Sequence, residues 1–317
     1  MKYKHISRKF QGIITMILIN FISFMVKITP EKFSYAFAHI LAKIGFIVMK
    51  KHRRVALESL AIAFGTDKSQ DEIEKIAFDS FEIMSKIAIE FMKFTEDTSL
   101  IDKYLRVRGI ENLDRALAKG RGVVALSAHF GNFPLMLTKL SLQGYKIKTI
   151  LRIMRDPWVN QYFHNKREGL GVGSIYTQPR KQCVEKSLET LRNKEILFIQ
   201  LDQNFGTGGI FVDFFGKKAA TAKGSIVFAF RTKAPIVPMF IYREKDNTQT
   251  VIIEPEVEIL EGKDLDEKIQ LNAQKLTVLL STTFVNTLQI GAGFIGDGRQ
   301  DQRKRKRSNE AQTYGTK

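Results

Sequence analysis

The residues best suited to chemistry lie in two short polar segments, each directly after an apolar run of strand length. The first is Ser127-Ala128-His129-Phe130-Gly131-Asn132-Phe133-Pro134, which follows Val123-Val124-Ala125-Leu126. A histidine at a strand exit can take the proton of an attacking hydroxyl. Gly131 permits a tight backbone, Asn132 can cap a helix, and Pro134 suits a first helical turn, where its missing N–H costs nothing. His129 would then sit beside a helix N-terminus, whose free N–H groups favour a developing oxyanion. Taken alone, such a histidine serves structure more often than catalysis.

The second segment is Gln200-Leu201-Asp202-Gln203-Asn204-Phe205-Gly206, at the end of the run 196–201. An acid and amides after a buried strand make a candidate site, although Asp also opens ordinary turns. Further on, Val212-Asp213-Phe214-Phe215-Gly216-Lys217 carries two adjacent phenylalanines before basic residues. They fit the wall of an acyl groove and fit a core equally well.

These segments need elements to hold them. Residues 50–118 show helical spacing, with Val55, Leu57, Leu60 and Ile62, then Ile73, Ile76, Phe78 and Phe81, recurring among charges. From about Gly120 the pattern changes. Strand-length apolar runs at 123–127, 147–151, 173–176, 196–201, 236–242 and 251–254 alternate with helix-like stretches at 134–143, 184–194 and 223–232. This alternation predicts an α/β architecture, a mainly parallel sheet flanked by helices. The stretch 265–288 predicts a further amphipathic helix. In such sheets chemistry gathers where strands end and helices begin.

Composition narrows the function classes. The 317 residues include 50 Lys plus Arg against 33 Asp plus Glu, a net charge of +17. A single cysteine, Cys183, excludes an intrachain disulfide framework and a Cys-rich zinc site. A mean hydropathy of −0.14 excludes a polytopic membrane protein. Much of the positive charge sits at the ends, in Lys2, Lys4, Arg8 and Lys9 and in the run 303–307. Nucleic acid, anionic lipid and an acidic carrier protein all fit such a surface. The uncharged run 11–26 (QGIITMILINFISFMV) decides against nucleic acid, as does the lack of a recognition motif. That run is slightly short for a full span and long enough for a tilted or interfacial anchor. The run 33–49 reads as an amphipathic helix beside it; a buried pair of core helices is the other reading. The expected organisation is an anchoring segment at 1–49, a domain at 50–290, and a basic tail at 291–317.

In their order and spacing, Ser127-Ala128-His129-Phe130-Gly131-Asn132, Asp202-Gln203, Val212-Asp213-Phe214-Phe215-Gly216 and Phe228-Ala229-Phe230-Arg231-Thr232-Lys233-Ala234-Pro235-Ile236-Val237-Pro238 resemble the late acyltransferases of lipid A biosynthesis. These are the lauroyl and myristoyl acyltransferases, within the wider lysophospholipid acyltransferases. The resemblance implies a glycerolipid acyltransferase-like fold with an N-terminal membrane helix, at the cytoplasmic face of the bacterial inner membrane. It implies transfer of a fatty acyl chain from an acyl carrier protein thioester to a hydroxyl of a lipid A precursor. A lysophospholipid or another glycolipid is the alternative acceptor. No metal or cofactor is required.

In that reaction His129 would be the general base, with Gly131 and Asn132 in the loop around the thioester. Arg152 looks like the family's basic residue in its second block. Arg155 and Arg167 could bind phosphates, or simply belong to a solvated face. Gln203, Phe214 and Phe215 complete the expected substrate contacts.

The chain departs from the family pattern twice. The family places Asp or Glu five residues after the histidine, and here that residue is Pro134. Asp202 at the neighbouring exit is the expected replacement; a histidine working without an orienting acid and a catalytically impaired homologue are the other readings. The family's closing motif, of the type W-x-W-x-H-R-R-W-K, is also absent, the only tryptophan being Trp158. A frame shift near residue 290 and a divergent tail both account for that.

Overall fold

The computed structural model describes residues 2–65, 67–203 and 205–291. The expected basic tail, with its run at 303–307, lies outside the described residues. Five helices come first: α1 (Lys2–Ile28), α2 (Glu31–Val48), α3 (Lys50–Phe64), α4 (Gln70–Glu96) and α5 (Ser99–Tyr104). Ser69 and Glu72 form a reciprocal capping box that starts α4. There follow β1 (Leu105–Arg108), α6 (Ile110–Leu117), β2 (Val123–Ser127), α7 (Phe133–Leu142), β3 (Ile147–Leu151), α8 (Pro157–Gly169), β4 (Val172–Tyr176), α9 (Arg180–Arg192) and β5 (Ile196–Gln200). The chain closes with β6 (Ile210–Phe214), β7 (Lys217–Thr221), α10 (Gly224–Thr232), β8 (Ile236–Arg243), β9 (Gln249–Ile253) and α11 (Leu265–Gly291).

Seven strands form one sheet in the order β1-β9-β8-β2-β5-β3-β4. β8, β2, β5, β3 and β4 run parallel, while β9 is antiparallel to β8 and carries β1 parallel to itself. This is the mainly parallel α/β sheet that the alternation predicts. β2 is apolar on both faces and has no exposed residue, as expected of a central parallel strand. Val123 and Ala125 pack with α7 residues Leu135, Met136 and Leu140 on one side. Val124 and Leu126 pack with Ile226, Ala273 and Leu276 on the other. Truncating a fully buried side chain such as Phe198 would cost about 3–5 kcal/mol.

Three strands differ from the expectation. β1 interrupts the stretch 50–118, which the spacing assigns to helices throughout. Leu105 and Val107 alternate with Arg106 and Arg108 over four residues, too short a run to stand out beside helical periodicity. β6 and β7 form a separate hairpin, outside the main sheet, around Phe214-Phe215-Gly216-Lys217. Its turn places Phe215 at φ +50 and Gly216 at φ +70. A phenylalanine in the left-handed region hides the turn from a reader looking for Asn-Gly or Asp-Gly.

Among the described residues no single helix is long and apolar enough to cross a membrane. α2 and α3 pass that test only together, and they meet at 91°. α1 and α2 nevertheless expose large apolar side chains, among them Ile17, Phe21, Phe24, Phe37, Ile44 and Ile47.

Candidate active site

β2 and β5 are neighbours and end at the same edge of the sheet, so the segments after them meet. The Leu201 N–H donates to the Ser127 carbonyl at 3.1 Å, extending the ladder one step past the strands. His129 and Asp202 emerge just beyond. His129 Nδ1 lies 2.8 Å from Asp202 Oδ1, and the His129 backbone N–H donates to Asp202 Oδ2 at 2.8 Å. One carboxylate thus grips both the ring and the backbone of the same residue, which fixes the ring's orientation. With Nδ1–H donating to Asp202, Nε2 is left as the acceptor. The Gln203 amide nitrogen stands 3.2 Å from that Nε2. The side chains of His129 and Asp202 are 36% and 25% exposed, so the pair is reachable from solvent.

The loop after His129 is braced along its length. The imidazole meets the Phe133 ring edge-on at 5.7 Å, and Phe133 stacks on Phe198 of β5. Phe130 stacks on Phe240 and leans on Tyr242, both from β8. Gly131 has φ +63, and a Cβ there would lie 2.3 Å from the Ile241 carbonyl oxygen. Both the conformation and the close approach demand glycine. Asn132 caps α7, its side-chain oxygen accepting from the Leu135 N–H at 3.4 Å, with Pro134 in the first turn. Pro134 is therefore a helix-start residue and offers no carboxylate to the imidazole.

The other expected residues are placed differently. The Asn132 side chain has no exposed surface, and both its polar atoms are engaged inside the protein, so it is closed to a substrate. Arg152 and Arg155 are exposed in the loop after β3, whose exit shares the edge used by β2 and β5. Arg167 instead lies half-buried on α8 and donates from Nε to Ser174 Oγ of β4 at 3.2 Å. Burial pushes its pKa below the ordinary guanidinium value. Phe214 and Phe215 touch each other at 4.6 Å, and Phe215 packs on Phe284 of α11. A cavity of about 490 Å³ opens between α1 and α8, lined by Met16, Trp158 and Tyr162 among others; neither His129 nor Asp202 lines it.

Sequence reading missed a buried carboxylate, Glu90 of α4, which is 2% exposed. Arg243 donates to it from both terminal nitrogens, at 2.5 and 2.7 Å. Tyr35, Asn132 and Gln249 add bonds of 3.0, 2.9 and 3.0 Å. Burial works against the Arg243 charge, but the hydrogen bonds and charge of Glu90 outweigh it and raise the pKa above the usual value. The one available signal was an acid inside the apolar run Ile87-Ala88-Ile89-Glu90-Phe91-Met92. Such residues are almost never buried unless paired.

Fold and site together define an α/β enzyme whose histidine and carboxylate meet at the C-terminal edge of parallel strands, beside a helix N-terminus. The chain belongs to the bacterial lipid A biosynthesis acyltransferase family, whose model matches residues 1–278. It is an acyltransferase. It is 23% identical over 234 residues to the lipid A biosynthesis acyltransferase of Haemophilus influenzae, covering 72% of this chain and 69% of that one. The lipid A biosynthesis palmitoleoyltransferase of Escherichia coli is 24% identical over 225 residues, covering 69% and 70%. The phosphatidylinositol mannoside acyltransferase of Mycobacterium tuberculosis is 27% identical over 139 residues, 44% of each chain. Among solved structures, the 1-acyl-sn-glycerophosphate (LPA) acyltransferase PlsC of Thermotoga maritima aligns with a TM-score of 0.36 and 15% identity. The alignment covers 80% of this chain and 97% of that one.

Proposed function

We propose that this acyltransferase moves a fatty acyl chain from an acyl carrier protein thioester to a hydroxyl of a lipid A precursor, at the cytoplasmic face of the bacterial inner membrane. The observation that carries the reading is the two-point grip of Asp202 on His129 at the sheet edge. An alcohol is a poor nucleophile at neutral pH, so a base must take its proton as it attacks. His129 Nε2 is that base, once the substrate hydroxyl displaces Gln203. Asp202 holds the ring in the right tautomer and stabilises the imidazolium that forms. The hydroxyl oxygen bonds to the thioester carbon, whose oxygen becomes negative. The positive end of the α7 dipole supports that charge, with Phe133 supplying the first-turn N–H that neither Pro134 nor the Asn132 cap removes. Collapse breaks the C–S bond, and the imidazolium returns its proton to the leaving thiolate. The ester and the carrier thiol are the products.

The exposed Arg152 and Arg155 are available for phosphates of the lipid or of the carrier's arm. Residues 1–49 are the anchor and 50–290 carry the chemistry. α2, with its exposed apolar side chains, leads directly into Lys50, Lys51, His52, Arg53 and Arg54 at the start of α3. That pairing suits a seat in the interface of an anionic bilayer. A basic surface also favours docking of an acidic carrier.

A second reading keeps the chemistry and changes the acceptor to another glycolipid; the mycobacterial mannoside acyltransferases support it. The reading as an impaired homologue rested on Pro134, and the Asp202 contact weakens it. Mass spectrometry of membrane lipids from cells with and without the protein tests the acceptor. A missing secondary acyl chain on lipid A is expected; a change confined to another lipid moves the assignment to the second reading. With purified protein, His129→Ala should lower ester formation by about 10²–10⁴-fold. Unchanged ester formation in that variant would overturn the proposed chemistry.

A further inference from the structure

We propose that Glu90 is a positioning residue of the acyl transfer: through Asn132 it sets the loop that carries His129. This inference rests on the reading of His129 as the base. Glu90 does not touch the imidazole, so any effect on the rate must pass through position.

A buried carboxylate persists only when charge and hydrogen bonds compensate its lost hydration. Arg243 alone supplies the charge and two bonds. The remaining bonds reach three other elements: Tyr35 on α2, Gln249 at the start of β9, and Asn132 in the His129 loop. Oε2 is shared by Asn132, Arg243 and Gln249, so shifting one partner disturbs the others.

Asn132 uses both ends of its amide. The nitrogen donates to Glu90 and the oxygen caps α7. It stands three residues after His129, with Gly131 pressed on the Ile241 carbonyl between them. The loop is thus held by Asp202 at one end and by Glu90 at the other. Releasing the Glu90 end frees both His129 and the first turn of α7 to drift. A displacement of roughly 1 Å in a reacting geometry can cost about a hundredfold in rate. Tyr35 ties α2, with its exposed apolar face, into the same carboxylate.

Two variants separate positioning from folding. Asn132→Ser keeps a helix-capping hydroxyl and leaves the Glu90–Arg243 pair intact, but is too short to reach Glu90. Glu90→Gln keeps the shape and removes the charge. The full chain in detergent micelles is assayed with acyl carrier protein thioester and lipid A precursor, and kcat is normalised to the folded fraction. His129→Ala runs in parallel. We expect each of the first two to lower kcat by about tenfold to a hundredfold at unchanged KM. The double variant should be no slower than Glu90→Gln alone, because both cut one link. Wild-type kcat in Asn132→Ser, or losses that multiply in the double variant, overturns the inference while a dead His129→Ala keeps the proposed chemistry. Full turnover in His129→Ala instead overturns the chemistry. Should Glu90→Gln fail to fold, Asn132→Ser decides alone by the same kcat criterion.

Discussion

Two carboxylates hold the two ends of the His129 loop, in opposite surroundings. Asp202 is partly exposed, contacts the imidazole directly and shares it with Gln203. Glu90 is buried, contacts no reacting group, and binds four side chains from four segments. The contrast follows from what each end must do. On the proposed reading His129 is a base that has to meet a substrate, so its partner stays near solvent. A scaffold has to stay still, and low dielectric strengthens every bond that Glu90 accepts. The same burial makes loss of a partner costly.

The comparison predicts different losses at the two ends. The largest is at Asp202: Asp202→Asn should lower turnover by about 10²–10⁴-fold, since the amide no longer favours the tautomer with a free Nε2. Melting temperature and vesicle binding should stay near wild type. Turnover close to wild type in Asp202→Asn would remove Asp202 from the pair. At the buried end the ranking is expected to reverse. Arg243→Met leaves Glu90 buried without its cation, a situation that costs about 3–5 kcal/mol in stability. Urea denaturation checks it; a midpoint unchanged from wild type would mean that Glu90 takes up a proton or rearranges at little cost.

The two ends also differed in how legible they were. Asp202 could be read because an apolar strand-length run ends on it, at an exit adjoining that of His129. Parallel sheets bring such exits together without further information. Glu90 could not be read, because its partners are 42 to 159 residues away in sequence. Within α4 it is one residue in a helical pattern whose periodicity says where a face is buried, not what a polar group there will meet. The same limit hid β1, a four-residue edge strand, and the β6–β7 hairpin, whose turn uses Phe215 at a positive φ. Arg167 looked like Arg155 in sequence, yet the helix phase of α8 turned it toward β4.

The smallest expected effect is the one that tests whether the site has moved its acid or lost it. Pro134 occupies the position where the resemblance calls for a carboxylate, and the first turn of α7 would accept one. An acid there gains from the helix dipole by about 0.3–1 kcal/mol. In the wild-type background Nδ1 is already taken by Asp202. A second carboxylate beside it would only raise like-charge repulsion. Pro134→Asp should therefore change turnover by no more than about twofold. In the Asp202→Asn background Nδ1 lacks an ionised partner, and the same substitution should recover about tenfold. Steady-state turnover of the single and double variants decides it. Recovery means that orienting the imidazole depends on a carboxylate at Nδ1 and not on the element that supplies it. A double variant no faster than Asp202→Asn would mean that the grip on the His129 backbone N–H, which only the β5 exit provides, matters as much as the ring contact.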